Sequence, residues 1–291
     1  MKAKAIIISG NGTNCETETA YACNLAGFEV VDIVHLSQLL SGEIRLDDYH
    51  FLNLAGGFLD GDDLGAAKVG VNRFLHAQLS NSQKGVNRSL HAQLNNSQEK
   101  IRDQILRFID QGKLILGICN GFQLLVKFGL LPGFDNNYTL QKTTLTFNDS
   151  GKFEDRWVYL KVNSESPCLF TKDIKRLYLP VRHGEGKFIT ENMETLKRIK
   201  THHLVLQYCQ EDCTTPTMEY PYNPNGSEEA VAGICNQSGR IFGLMPHPEA
   251  YLHYTNHPRW TREVILEEEM GLRIFKNAYQ YIKKTVIPKF L

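Results

Sequence analysis

A single cysteine stands where the sequence pattern is typical of a nucleophile. In the segment KLILGICNGFQLL, residues 113–125, Cys119 lies between Gly117 and Gly121, after one apolar run and before another. The pattern predicts a strand, a sharp turn that the glycines permit, and then a helix, as in a nucleophile elbow. A thiol at a helix N-terminus is exposed to partial positive charge, which favours the thiolate. The alternative is a small buried apolar residue, since buried cysteines are common.

A base and a partner to orient it are found near the end of another apolar segment. In GLMPHPEA, His247 and Glu249 are two residues apart, so on an extended backbone both side chains lie on one side. Pro248 restricts the chain between them. A thiol nucleophile needs a base, and a histidine held by a carboxylate supplies one. The two segments together favour a catalytic triad of Cys119, His247 and Glu249.

Composition limits the class of protein. With 291 residues, 42% of them hydrophobic, the chain can build a sizeable core. Lys plus Arg and Asp plus Glu both number 32, so there is no broad basic field and nucleic-acid binding is not expected. The sequence has neither a signal-peptide core nor an apolar run of about 18 residues, so we expect a cytoplasmic protein that does not enter membranes. Its seven scattered cysteines are expected to be reduced thiols.

Apolar and amphipathic segments alternate in the first half of the chain. Strands are predicted in 3–9, 28–36, 49–58 and 113–119, and helices in 16–27 and 99–112. This alternation predicts an α/β fold with a mostly parallel sheet flanked by helices. In such folds the functional loops follow the carboxyl ends of the strands.

The second half has a different pattern. Shorter β-rich segments predict additional antiparallel strands in 156–162, 203–209, 230–236 and 240–247, with a hairpin over 234–243. A final helix is predicted over 262–284, with basic residues at its end. No linker rich in Pro, Gly or Ser interrupts the chain, so one domain over residues 1–291 is expected.

Two further features are interpreted without a function. Cys209 and Cys213 have the spacing of half a zinc site, but His202 and His203 directly before them would point to opposite faces of a strand, so no metal site is predicted. Residues 70–83 recur as 85–98, identical at twelve of fourteen positions with a period of 15. Such a pair is better explained as a tandem duplication in a tolerant surface segment than as a solenoid. Its histidines, His76 and His91, are not expected to be catalytic.

Beyond these features, the chain resembles the glutaminase subunits of phosphoribosylformylglycinamidine synthases, which are class I, triad-type glutamine amidotransferases. The resemblance runs from GTNCETE through LAGGFLDGDDLGAAKV, GICNGFQLL and RHGEGKF to NPNGSEEAVAGICNQSGRIFGLMPHPE. It implies hydrolysis of L-glutamine at Cys119, with His247 as base and Glu249 as its partner. The ammonia would pass to a synthetase subunit, where ATP and magnesium are expected. No cofactor is expected in this chain, and whether a small bridging subunit joins the complex is left open.

The resemblance also assigns supporting residues. The backbone N–H groups of Gly57, in the GGF turn, and of Asn120 would form the oxyanion hole, with Gly57 also beside the substrate. Gln123 would help to hold the glutamine; the alternative is a polar residue exposed on its helix. His183 and Glu185 would lie beside the glutamine site or the ammonia exit.

The resemblance also assigns a role to the GDDLG loop, which precedes the duplicated segment. Asp62 and Asp63, in GDDLG, would contribute contact surface near the partner without a catalytic role. The duplicated segment follows this loop directly and could alter docking to the synthetase.

Two other functions remain open at this stage. A cysteine hydrolase of the same fold could act on peptides or thioesters, although GDDLGA and HGEGKF would then be unexplained. A regulatory subunit without activity is the other alternative, and a complete Cys, His and Glu set argues against it.

Overall fold

The computed structural model describes residues 1–76 and 101–290. Within these ranges the strands are β1 Lys4–Ser9, β2 Val30–His35, β3 Phe51–Leu54, β4 Leu114–Ile118, β5 Thr143–Thr146, β6 Glu154–Val162, β7 Arg176–His183, β8 Lys187–Thr190, β9 Leu204–Cys209, β10 Val231–Cys235 and β11 Ile241–Leu244. The α-helices are α1 Glu16–Ala26, α2 Leu36–Leu40, α3 Lys68–His76, α4 Ile101–Asp110, α5 Asn120–Lys127, α6 Met193–His202 and α7 Leu272–Tyr281.

One sheet runs through both halves of the chain. Its strand order is β2-β1-β3-β4-β11-β10-β9-β6-β7, and a separate antiparallel pair joins β5 to β8. The pairings from β2 to β11 are parallel, and those from β11 to β7 are antiparallel. The predicted fold class, a mostly parallel sheet with helices and added antiparallel strands, is confirmed. The predicted hairpin is also found, as β10 and β11.

The register of three central strands decides where the site forms. Leu54 of β3 pairs with Gly117 of β4, and Ile118 of β4 pairs with Leu244 of β11. All three strands run in the same direction, so their carboxyl ends meet at one edge. The GGF turn, Cys119 and the His-Pro-Glu segment follow these three ends directly.

The helices pack in two groups against the apolar strands. Helix α1 contacts α7, whereas α5 contacts α3, β3 and β4. Every residue of β4 is buried, which is typical of a central parallel strand. Helix α1 ends as its sequence predicts, because Gly27 adopts a left-handed φ of 108° and its N–H caps Asn24 and Cys23.

Several elements were not predicted. Strand β7 contains Pro180, and proline within a strand argues against a central position. The structure agrees with that rule, because β7 is the edge strand of the sheet. Helix α6 was missed because its residues are mostly charged or polar, although Asn192 caps it by accepting the Thr195 N–H at 2.9 Å.

The final helix is shorter than predicted. It begins at Leu272 rather than in the 262–271 region, and a single 3₁₀ turn, Glu267–Glu269, precedes it. Gly271 explains the boundary, since a Cβ built on it would lie 2.0 Å from the carbonyl oxygen of Pro248. Helix α7 therefore begins where the backbone of Gly271 packs against the backbone of Pro248, the residue between His247 and Glu249.

Part of the duplicated segment lies outside the described residues. The first copy begins inside α3, while residues 77–100, which include His91, and the side chain of His76 are not described. No helix among the described residues is both long and apolar enough to span a membrane.

We expect Gly271→Ala to lower the free energy of unfolding by about 1–3 kcal/mol or more, because the added Cβ must displace backbone. Gly184→Ala is the matched control, since its Cβ would meet nothing closer than 4.0 Å, and its change should stay within about 0.5 kcal/mol. Urea unfolding of both variants measures the difference. Equal stabilities would show that the approach to Pro248 is not tight.

Candidate active site

Cys119 lies at a strained turn between β4 and α5. Its φ of 52° and ψ of −105° are unusual for a residue with a side chain, and such conformations cost about 1–3 kcal/mol. The turn fits only because Gly121 is small, since a Cβ there would lie 1.9 Å from the Leu54 carbonyl oxygen. The Cys119 N–H donates to the Leu244 carbonyl at 2.8 Å. The elbow is therefore fixed to both neighbouring strands.

His247 and Glu249 follow β11 and form a buried pair. His247 Nδ1 donates to Glu249 Oε1 at 2.6 Å, and each side chain is about 2% exposed. The segment is not the extended stretch that was predicted, because Pro248–Ala250 forms a 3₁₀ turn. The His247 N–H donates to the Pro180 carbonyl at 2.8 Å, so the edge strand β7 fixes the backbone of the base.

The electrostatic surroundings favour the protonated form of His247. Burial alone would lower its pKa, but the charge of Glu249, together with the neighbouring thiols Cys119 and Cys15, raises the pKa well above its ordinary value. His247 Nε2 and Glu249 Oε2 are buried and have no hydrogen-bond partner among the described residues. The imidazole thus has one nitrogen on the carboxylate and the other available for chemistry.

A second thiol that was not predicted as a site residue lies against the same ring. Cys15 Sγ is 3.8 Å from His247 Nδ1, and burial raises the pKa of the Cys15 thiol. The ring also packs on Gly56, where a Cβ would lie 2.9 Å from His247 Cε1. The sequence signal for Cys15 is the GTNC motif, which is part of the family resemblance but predicts no role for the thiol.

The loop that carries Cys15 also supports the GGF turn. The Phe58 N–H donates to Gly12 at 2.8 Å, and the Cys15 N–H donates to Gly56 at 3.3 Å. Gly57 has a φ of 131°, and a Cβ on it would lie 2.7 Å from the Asn14 nitrogen. A residue other than glycine would push this loop away.

Two backbone N–H groups at this edge are available for a ligand. The Gly57 N–H has no acceptor among the described residues. Asn120 is the first residue of α5, so its N–H has no partner within the helix. Both groups predicted for the oxyanion hole therefore lie free at the strand ends that carry Cys119.

Gln123 is buried rather than exposed, so the interpretation as a surface residue is wrong. Its Nε2 donates to the Glu185 carbonyl at 2.6 Å, and its Oε1 accepts from Asn120 Nδ2 at 2.9 Å. The Asn120 side-chain oxygen in turn accepts the Leu59 N–H at 3.1 Å. Gln123 thus connects the nucleophile helix to the RHGEGKF loop.

His183 and Glu185 lie next to the site but do not form an acid–base pair with each other. His183 Nδ1 contacts Asn148 Oδ1 at 3.1 Å, and burial, with the nearby charge of His247, lowers the pKa of His183 to about 3. The Glu185 carboxylate accepts the Ala66 N–H at 3.1 Å. The carbonyl of Arg182, which precedes His183, accepts a hydrogen bond from the Cys119 thiol at 3.6 Å. This contact explains why the loop lies beside Cys119.

The GDDLG loop is held close to the same segment. Burial, with the charge of Glu185, raises the pKa of Asp62 to about 6. Asp62 therefore carries a partly buried carboxyl group at the base of the loop, and nothing in its position links it to the nucleophile.

A cavity of about 210 Å³ opens beside the pair formed by His247 and Cys15. Its walls include Gly57 and two oppositely charged residues, Arg182 and Glu18. The ligand pockets that hold drug-sized molecules are larger, so this cavity suits a small substrate. Sequence reasoning missed both charged residues, because one lies on an unpredicted strand and the other is an ordinary polar position of α1.

The spacing of Cys209 and Cys213, which is that of half a zinc site, does not correspond to a group of three potential metal ligands. Cys209 Sγ and Cys213 Sγ are 2.9 Å apart, but no third donor joins them among the described residues. Within that part of the chain, the group of three donors is Cys15, His247 and Glu249.

A match to a known protein family identifies the class of protein to which this chain belongs. A family model described as a CobB/CobQ-like glutamine amidotransferase domain matches residues 2–282. This match covers the elbow, the His-Pro-Glu turn and the residues that line the cavity beside His247. The fold and the site thus define a glutamine amidotransferase.

Individual relatives narrow the class. Phosphoribosylformylglycinamidine synthase subunit PurQ of Dehalococcoides mccartyi is 43% identical over 283 residues, covering 97% of this chain and 99% of that protein. The subunit of the same name from Methanococcus maripaludis strain C5 is 37% identical, with 98% and 100% covered. A chain in the structure of PurLQS from Thermotoga maritima superposes with a TM-score of 0.66 at 30% identity, covering 97% of this chain and all of that one. The chain therefore belongs to the family of phosphoribosylformylglycinamidine synthase PurQ subunits.

The low pKa of His183 predicts a pH dependence of stability. The ring stays neutral when folded down to about pH 3 but takes up a proton near pH 6.5 when unfolded. The contribution of neutral His183 to the free energy of unfolding is therefore complete above pH 6.5. This contribution decreases by about 1.4 kcal/mol per pH unit as the pH falls towards 3.

We expect His183→Gln to lose this part of the slope between pH 6.5 and 4.5, measured as the free energy of unfolding in urea. His202→Gln is the matched control, because His202 is exposed and should leave the slope unchanged. An unchanged slope in His183→Gln would mean that another group causes the acid sensitivity.

Proposed function

We propose that this chain hydrolyses L-glutamine through Cys119, His247 and Glu249 and supplies the ammonia to a synthetase that makes formylglycinamidine ribonucleotide. The observation that carries the proposal is the arrangement at one sheet edge. A strained cysteine, a base with its buried carboxylate and two free N–H groups follow three adjacent strands. A regulatory role would need none of these, and so the complete site favours an enzyme.

The geometry supports a thioester mechanism. The Cys119 thiol gives its proton to His247 as Sγ attacks the carboxamide carbon, and the N–H groups of Gly57 and Asn120 hold the oxyanion that forms. His247 then gives its proton to the amine, the C–N bond breaks, and ammonia leaves. A water molecule, losing a proton to His247, hydrolyses the glutamyl thioester to glutamate and restores the thiol. Glu249 holds the imidazolium in both steps.

The cavity beside His247 fits a free amino acid better than a peptide. Glutamine carries an α-carboxylate and an α-ammonium group, and Arg182 and Glu18 supply the opposite charges. A peptide bond would remove one of those charges from the substrate. This pairing argues against the alternative of a cysteine hydrolase that acts on peptides. Gln123 would act as a bridge that keeps the Glu185 loop beside the substrate.

The released ammonia needs a partner that consumes it. The relatives are subunits of phosphoribosylformylglycinamidine synthase, and the similar Thermotoga chain is part of a structure of PurLQS. We place ATP and magnesium on the synthetase subunit and none in this chain.

The proposal includes a cellular location, the cytoplasm, and a single domain. All seven cysteines are free, which fits the reducing cytoplasm. A single domain over 1–291 is supported by the sheet that joins both halves of the chain.

Cys119→Ala tests the nucleophile. Together with the synthetase, the variant should form no product from glutamine, yet it should form product when ammonium salt replaces glutamine, because only the ammonia source is lost. Product formation with each nitrogen source is the measurement. Cys23→Ala is the matched control: it removes another buried thiol, and both activities should remain. Glutamine-dependent activity in Cys119→Ala would overturn the assignment.

Gly57→Ala tests the oxyanion hole. Its Cβ would meet the 12–14 backbone at 2.7–2.8 Å, so the turn must shift and the N–H will miss the oxyanion. Loss of one donor of this kind lowers kcat by about 10²–10³. Gly42→Ala is matched in positive φ but has no atom within 4 Å, and its kcat should stay near that of the wild type. Equal kcat values for the two variants would count against Gly57 as a donor.

A further inference from the structure

Three potential metal ligands converge on one side of the His247 ring. The donor atoms of Cys15, His247 and Glu249 lie within 4.8 Å of one another, and all three side chains are buried. Glu249 Oε2 is an independent sign of unused coordinating capacity, because it is buried and has no hydrogen-bond partner among the described residues. Thiol, imidazole and carboxylate form a donor set that Zn²⁺ accepts.

The distance between the thiol and the imidazole is close to that of a tetrahedral site. With bonds of 2.0–2.3 Å, ligand atoms around zinc lie roughly 3.3–3.7 Å apart. Cys15 Sγ is 3.8 Å from His247 Nδ1, so this pair needs almost no movement. Glu249 Oε1 lies at 2.6 Å from the same nitrogen and must move back, which its unpartnered second oxygen allows by rotation of the carboxylate.

We propose that Cys15, His247 Nδ1 and Glu249 form an inhibitory binding site for Zn²⁺. The ion would enter through the cavity, since Cys15 and His247 line it. Binding releases the Cys15 thiol proton and the proton on Nδ1, and the ion takes the place of the hydrogen bond from His247 to Glu249. His247 then has a metal on Nδ1 and its one remaining proton on Nε2, so the ring can neither accept the proton of the Cys119 thiol nor give its own proton to the leaving amine without becoming an imidazolate. The inhibition of glutamine hydrolysis rests on the proposed function of this chain, whereas the binding of Zn²⁺ does not.

Binding is tested in the full-length chain that carries Cys119→Ala, so that the nucleophile cannot ligate the metal. Co²⁺ is the probe, because a thiolate ligand produces a charge-transfer absorption band. We expect the band in Cys119→Ala, its loss when Cys15→Ala or Cys15→Ser is added, and its displacement by Zn²⁺. Adding Cys213→Ala instead is the matched control, and the band should remain. A band that survives the Cys15 changes, or that disappears with Cys213, would overturn the site.

Inhibition is tested by glutamine hydrolysis in the assembled complex, with each variant compared with its own activity without metal. We expect Zn²⁺ to inhibit the wild type reversibly, with recovery after EDTA. The concentration for half inhibition should rise about tenfold or more in Cys15→Ala. Equal zinc sensitivity of wild type and Cys15→Ala would overturn the proposed inhibition. If no variant hydrolyses glutamine, the proposed function fails while the cobalt result still decides the metal site.

Discussion

The approach of α5 to β3 at Gly121 is the constraint on which the site depends. Only a residue without a Cβ allows the helix to start against the Leu54 carbonyl, and that start forces Cys119 into positive φ. The strain is retained because three strands hold the turn, through the Leu244 hydrogen bond and the pairing of β3 and β4. Cys119 is the proposed nucleophile, and a nucleophile on a rigid turn loses little freedom when it attacks, so the stability of this turn would contribute directly to the proposed catalysis.

The buried charges are the second requirement. An isolated carboxylate as deep as Glu249 would be strongly destabilising, and the proton on His247 offsets that cost. The pair is placed by backbone contacts: β7 accepts the His247 N–H, and Gly271 rests on the Pro248 carbonyl. The elements that sequence reasoning missed or misplaced, β7 and the start of α7, are thus the ones that position the base.

Short sequence patterns predicted the features of the site that depend only on neighbouring residues. The glycines around Cys119 and the spacing of His247 and Glu249 are visible in the sequence, because a sharp turn and a two-residue spacing depend on neighbouring residues. Cys15, Arg182 and the burial of Gln123 were missed, because each depends on chain segments far apart in sequence that meet only in the fold. Strand β7 was not predicted, and its Pro180 is tolerated because β7 lies at the edge of the sheet, a position that only the strand order reveals.

The N-terminal loop connects these observations. Residues 12–15 support the GGF turn through backbone hydrogen bonds, and the same loop places Cys15 against the base. The Gly57 N–H and the His247 ring are therefore positioned by one short segment, and a shift of that segment would disturb both a proposed oxyanion donor and the proposed proton carrier. The loop that supports the turn also carries the Cys15 side chain, which faces the imidazole with Sγ at 3.8 Å from His247 Nδ1. A thiol there packs well in a buried position but adds a third metal ligand beside a histidine and a carboxylate.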